Sequence, residues 1–177
     1  MNSVSKKNAI KLRLKKLRFS NEEESSEKVQ QIGRLSKSKD GIFKIIPNLY
    51  ISSYKSASNK SLLESENIKI ILNLTAHKCE NLHPSLIKYY SYSIADNSHF
   101  NLDANILEAL NLIKEATDKN IKVLVHCQMG ISRAPTTVIA FLIKYKFMSF
   151  EDALNLVKNK SPSADPNLGF LIQLRNL

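Results

Sequence analysis

The chain has 177 residues, 43% of them hydrophobic and 24% charged, enough apolar material for one compact domain with a short extension. It contains no run of about 18 apolar residues from which a membrane-spanning helix would be read, and its basic N-terminus lacks the apolar core of a secretory signal. With only two cysteines, Cys79 and Cys127, a disulfide scaffold is excluded, and the expected setting is a reducing compartment, cytoplasm or nucleus.

The net charge of +10 is unevenly spread: residues 1–40 hold 11 Lys/Arg against 5 Asp/Glu, and the other 137 residues hold 15 against 11. The excess therefore sits in the first 40 residues, and the remainder is only mildly basic, which suits an anionic phosphoprotein as well as nucleic acid. Residues 1–40 read as an extension separate from a domain at 41–177. In SKKNAIKLRLKKLRF (5–19), Ile10, Leu14 and Leu17 share a helical face while Leu12 falls off it. A solvated tail, a nuclear-import element and a segment contacting an acidic partner or surface all fit this pattern.

After Gly41 the pattern alternates between strand and helix. IIPNLYIS (45–52) predicts a strand pair or a strand entry, with Pro47 near an edge. A helix is expected around 58–66, then a buried strand in IKIILNLT (68–75) and a β-rich segment in IKYYSYSI (87–94). From Asp103, Ile106, Leu110 and Ile113 recur at helical spacing; IKVLVH (121–126) is a further buried strand, and TTVIAFLIKY (136–145) a strongly apolar helix. Ser149 with Glu151 and Asp152 opens a helix reaching about residue 159, and a short one starts near Asn167. The expected class is α/β, a central, mainly parallel sheet flanked by helices on both faces.

The chemistry concentrates in KVLVHCQMGISRAPTTVIAFLIKY (122–145). A strand ending at His126, a polar loop and a helix starting near Arg133 put Cys127 at the carboxyl end of a strand, facing a helix N-terminus. The N–H groups of Gln128, Met129, Gly130, Ile131, Ser132 and Arg133 can turn inward as an anion nest, with Gly130 leaving room for close approach. In that field the thiolate of Cys127 is favoured, and the planar fork of Arg133 suits two phosphoryl oxygens. Phosphoryl transfer to sulfur needs a proton donor for the departing oxygen. Asp96, in a loop just past a strand, is the first choice; Asp103 reads better as a helix-start acid. His126 reads as orienting the loop. Cys79 reads as a buried structural thiol. His77, His83 and His99 share no metal-binding spacing, so no metal or other cofactor is expected.

HCQMGISR resembles the HCxxGxxR active-site loop of protein tyrosine phosphatases, and residues 42–174 are similar to a dual-specificity phosphatase domain. Supporting segments are IPNLYISS, ILNLT, the aspartate of SIADNSHFNL and PNLGFLIQL. The resemblance implies hydrolysis of phosphotyrosine and phosphoserine or phosphothreonine through a phosphocysteine on Cys127, with Arg133 binding the phosphoryl oxygens and Asp96 protonating the leaving group. It implies phosphorylated protein substrates, a protein kinase among the candidates. Two other outcomes are a weakly catalytic phosphoprotein-binding module and a phosphoinositide or RNA phosphatase of the same superfamily. Where many members carry Ser or Thr after the arginine, this sequence has Ala134, so slow breakdown of the phosphocysteine is expected.

Overall fold

Pro47 and Asn48 make the first turn of the fold: Pro47 fixes its own φ, and Asn48 takes a left-handed φ of 66°, a combination favoured in type II turns. The computed structural model describes residues 41–177; the expectations for residues 1–40 lie outside them, as do the side chains of residues 103–105. The turn joins β1 (Ile42–Ile46) to β2 (Leu49–Ser53) in an antiparallel pair whose register shifts between Lys44 and Ile46. With β3 (Ile70–Asn73), β4 (Lys88–Ser91) and β5 (Val123–Cys127), they form a five-stranded sheet in the order β1-β2-β5-β3-β4. The β2–β5, β5–β3 and β3–β4 pairs are parallel.

Of two short helices, α1 (Tyr54–Ala57) and α2 (Lys60–Ser65), only α2 falls where the sequence predicts one, around 58–66; α1 precedes it and was not expected. Each has its own side-chain cap. Ser53 Oγ accepts from the Ser56 N–H, and Asn59 Oδ1 from the Leu62 N–H, so Asn59 restarts the helix that Ser58 ends. The others are α3 (Asp103–Asp118), α4 (Arg133–Lys146), α5 (Phe150–Lys160) and α6 (Leu168–Arg175). α5 is capped by Ser149, with Glu151 and Asp152 in its first turn and Lys158 and Lys160 in its last, charges that complement the helix dipole.

Successive strand residues point to opposite faces. Leu49, Ile51, Leu72, Val123 and Val125 join the larger core with Ile106, Ile113, Val138, Phe141 and Phe170 of the later helices. Tyr50, Ile71 and Leu124 turn the other way, onto Ala57, Leu63 and Ile68. Apolar runs without alternation are what a parallel sheet covered on both faces requires. α4 is buried throughout Arg133–Leu142, so its N-terminus is fixed by packing on all sides.

The strands deliver the site to one edge. β5 is central, and it runs one residue beyond the predicted end, because Ser53 extends β2 far enough to pair with Cys127. Beyond β4 the chain stays attached: the Tyr92 N–H donates to the Asn73 carbonyl (2.7 Å) and the Ile94 N–H to the Leu74 carbonyl (3.0 Å). Asp96 is thereby carried to the carboxyl ends of the strands, where Cys127 lies.

Candidate active site

Cys127 is the last residue of β5 and is buried. Its Sγ accepts the backbone N–H of Gly130 at 3.3 Å, so the loop turns back on the thiol that begins it. Gly130 has φ +71°, and a Cβ there would stand 2.8 Å from Ser53 N and 2.9 Å from Ser52 C and O. Both the left-handed conformation and the contact with the β2 backbone require glycine. The Tyr54 N–H donates to the Gln128 carbonyl (3.2 Å), and the Asp165 N–H to the Ile131 carbonyl (2.7 Å), tying the loop to α1 and to the segment before α6. Gln128 is exposed, Met129 half-buried and Ile131 buried.

Ser132 and Arg133 lead into α4, and both reach towards Asp96. Ser132 Oγ donates to Asp96 Oδ1 at 2.7 Å, and Arg133 Nε lies 3.8 Å from Asp96 Oδ2. Arg133 Nη1 donates to the Ile94 carbonyl at 3.3 Å, while its buried Nε has no hydrogen-bond partner among the described residues. A buried guanidinium N–H without an acceptor costs free energy, and Asp96 Oδ2 lies beyond hydrogen-bond distance of it. Asp96 retains 25% of its side-chain exposure, so the carboxyl is open to an incoming molecule.

His126 lies inside β5 with its ring Nδ1 3.4 Å from the Cys127 carbonyl and its centroid 6.0 Å from that of Tyr54. Burial pushes its pKa down to about 4, outweighing the upward pull of the Cys127 carbonyl, so the imidazole is neutral at physiological pH. Among the described residues no group of three or more His, Cys, Asp or Glu is arranged to hold a metal. Cys79 is a second buried free thiol, in the turn after β3.

Cys127, the loop 128–133 and Asp96 are thus joined by contacts; Asp103 opens α3. Sequence reasoning did not find Asn167, which caps α6 and whose Nδ2 donates to Asp96 Oδ1 at 2.9 Å. Its backbone N–H donates to Ser132 Oγ at 3.2 Å. The PNLGF segment marked a helix start, and nothing in it signalled a partner 71 residues away.

The fold and these contacts bring a buried thiol, a loop N–H aimed at it, an arginine and a carboxyl together at the carboxyl edge of an α/β sheet. Comparison with known proteins narrows this. The profile of the dual specificity phosphatase catalytic domain matches residues 49–177. Dual specificity protein phosphatase 1 of Arabidopsis thaliana is 40% identical over 129 residues, covering 73% of this chain and 65% of that protein. Human dual specificity protein phosphatase 6 is 39% identical over 132 residues, 73% of this chain and 34% of that one. The crystal structure of the human tyrosine phosphatase-like serine/threonine/tyrosine-interacting protein aligns with a TM-score of 0.71 at 28% identity, over 78% of this chain and 95% of that one. The chain belongs to the dual specificity phosphatase family, and it spans less than two thirds of the length of these two sequence relatives.

Proposed function

We propose that this protein is a cysteine-dependent protein phosphatase that hydrolyses phosphotyrosine and phosphoserine or phosphothreonine by way of a phosphocysteine. The Cys127 thiolate attacks phosphorus, the S–P bond forms, the bond to the ester oxygen breaks, and Asp96 gives that oxygen its proton. Arg133 and the loop N–H groups hold the remaining phosphoryl oxygens as charge develops on them. Water then attacks the phosphocysteine, giving a proton to Asp96 and releasing inorganic phosphate and thiolate. The neutral His126 orients the loop by way of the Cys127 carbonyl and takes no proton.

One observation carries this reading: the Gly130 N–H is aimed at Cys127 Sγ in the loop whose arginine keeps an unpartnered buried N–H. Cys127→Ser tests it. The variant should lose turnover of a phosphopeptide while still binding vanadate or phosphate, since the loop donors remain. Retained turnover removes Cys127 as nucleophile, and lost turnover with lost anion binding removes the loop as the anion site. A binding role is favoured by the likeness to the phosphatase-like interacting protein; absence of turnover in the unmodified protein with phosphopeptide affinity intact would select it.

The proposal extends to the whole chain. Residues 41–177 form the catalytic domain and 1–40 a basic extension that contacts an acidic partner or surface. The substrates are phosphorylated proteins, a protein kinase among them, met in the cytoplasm or nucleus. No helix among the described residues is long and apolar enough to cross a membrane.

A further inference from the structure

Asp96 sits in the segment between β4 and α3, yet the contacts that hold its carboxyl come from elsewhere. The hydroxyl of Ser132 and the amide Nδ2 of Asn167 both donate to Oδ1, at 2.7 and 2.9 Å. The sense of the Asn167 amide is fixed independently, because its Oδ1 accepts the Phe170 N–H at 2.9 Å as the cap of α6. Ser132 Oγ in turn accepts the Asn167 backbone N–H at 3.2 Å, which directs its own proton to Asp96. Oδ1 therefore receives two donated hydrogens, and Oδ2, towards Arg133, receives none at hydrogen-bond distance from the described residues.

The same helix holds the rest of the segment. Gly169 lies so close that a Cβ there would be 2.2 Å from the Ser98 carbonyl oxygen. Gln173 donates from Nε2 to the Phe100 carbonyl and accepts at Oε1 from the Leu102 N–H, both at 2.9 Å. Asn167 itself is only 7% exposed, so it acts on the carboxyl and not on a substrate.

We propose that Asn167 is a positioning residue for the acid–base steps: with Ser132 it fills Oδ1 of Asp96, so the proton leaves from and returns to Oδ2, within a segment framed by α6. This rests on the reading of Asp96 as the acid. As the ester P–O bond breaks, the Oδ2–H bond breaks and the departing oxygen gains that proton. The carboxylate formed keeps both donors on Oδ1, and the attacking water later returns a proton to Oδ2.

The test compares kcat/KM for two aryl phosphates, one with a good leaving group and one with a poor one, in Asn167→Ser, Asn167→Asp and Asp96→Asn. Ser and Asp both cap helices, but an ionised Asp has no hydrogen to give Asp96, and the single short hydroxyl of Ser lacks the second polar atom with which the amide caps from Oδ1 and donates from Nδ2. The good-to-poor ratio should rise about tenfold in both Asn167 variants, the scale of one hydrogen bond to a charged group, and further in Asp96→Asn. Because both substrates are measured on the same preparation, the ratio is independent of the fraction folded. An unchanged ratio in Asp96→Asn overturns the acid assignment and this proposal with it. A raised ratio there with an unchanged ratio in both Asn167 variants leaves the acid in place and overturns the positioning role, as does an equal loss on both substrates.

Discussion

Replacing His126 by Gln removes the one buried imidazole of β5, and its effect on stability depends on pH in a calculable way. The folded protein holds this ring at a pKa of about 4 against 6.5 when unfolded, so between those values the unfolded chain binds the extra proton. Stability therefore rises with pH in that window: the His126 contribution is complete above pH 6.5 and is lost as pH falls to 4. The full span is worth about 3 kcal/mol, and the portion between pH 7 and pH 5 about 2 kcal/mol. Urea unfolding of the natural protein and of His126→Gln at half-unit steps from pH 7 to 5 measures it. Carboxylates contribute equally to both proteins, so the difference between the curves isolates the ring. The variant starts less stable at pH 7, from lost packing, and its decline with acid is shallower by about 2 kcal/mol. Parallel curves would show that the ring is hydrated or charged in the fold, and the neutral, orienting role of His126 would fall with that result.

Gly130→Ala should lower stability by about 1–2 kcal/mol for the left-handed backbone and about 1–3 kcal/mol for the clash with Ser52 and Ser53. It should also lower kcat/KM, because the loop N–H is displaced from Cys127; an unchanged thermal midpoint contradicts the close seat on β2. Ala134→Ser should raise the steady-state rate about tenfold and shrink the pre-steady-state burst, since a hydroxyl there can donate to the sulfur as charge returns to it, and Ser132 is committed to Asp96. Rapid mixing with no burst in the natural protein and no gain in the variant refutes it. Removing residues 1–40 should leave turnover of a small aryl phosphate unchanged and weaken binding to acidic macromolecules in a salt-dependent way; loss of folding on truncation rejects the division at residue 41.

Most of the fold is legible because the strands and the longer helices each carry their own signal. β3 and β5 are short apolar runs, and α3 repeats Ile106, Leu110 and Ile113 on one face. α1 is not legible, since the four residues YKSA carry no apolar periodicity and their helix depends on Ser53 acting as a cap separate from the Asn59 that opens α2. The site divides similarly. Cys127 to Arg133 is a local pattern, seven consecutive residues whose types state their chemistry. Asp96 was reachable from its place after a strand. Asn167 was not, because capping α6 already accounts for its presence, and its bond to Asp96 forms only once the chain has folded.

That division separates two properties of the molecule. The anion cradle is built from consecutive residues seated on β2, whereas Asp96 is held through Asn167, and its segment through Gly169 and Gln173, all on or beside α6. Local openings of single helices lie below global unfolding in free energy, and α6, with eight residues and Leu168 and Ile172 facing solvent, is a short one. Its other face, Phe170 and Leu174, is buried in the larger core, so on the proposed reading an opening of α6 would free the segment of Asp96 while the contact of Gly130 with Ser52 and Ser53 on β2 stayed in place.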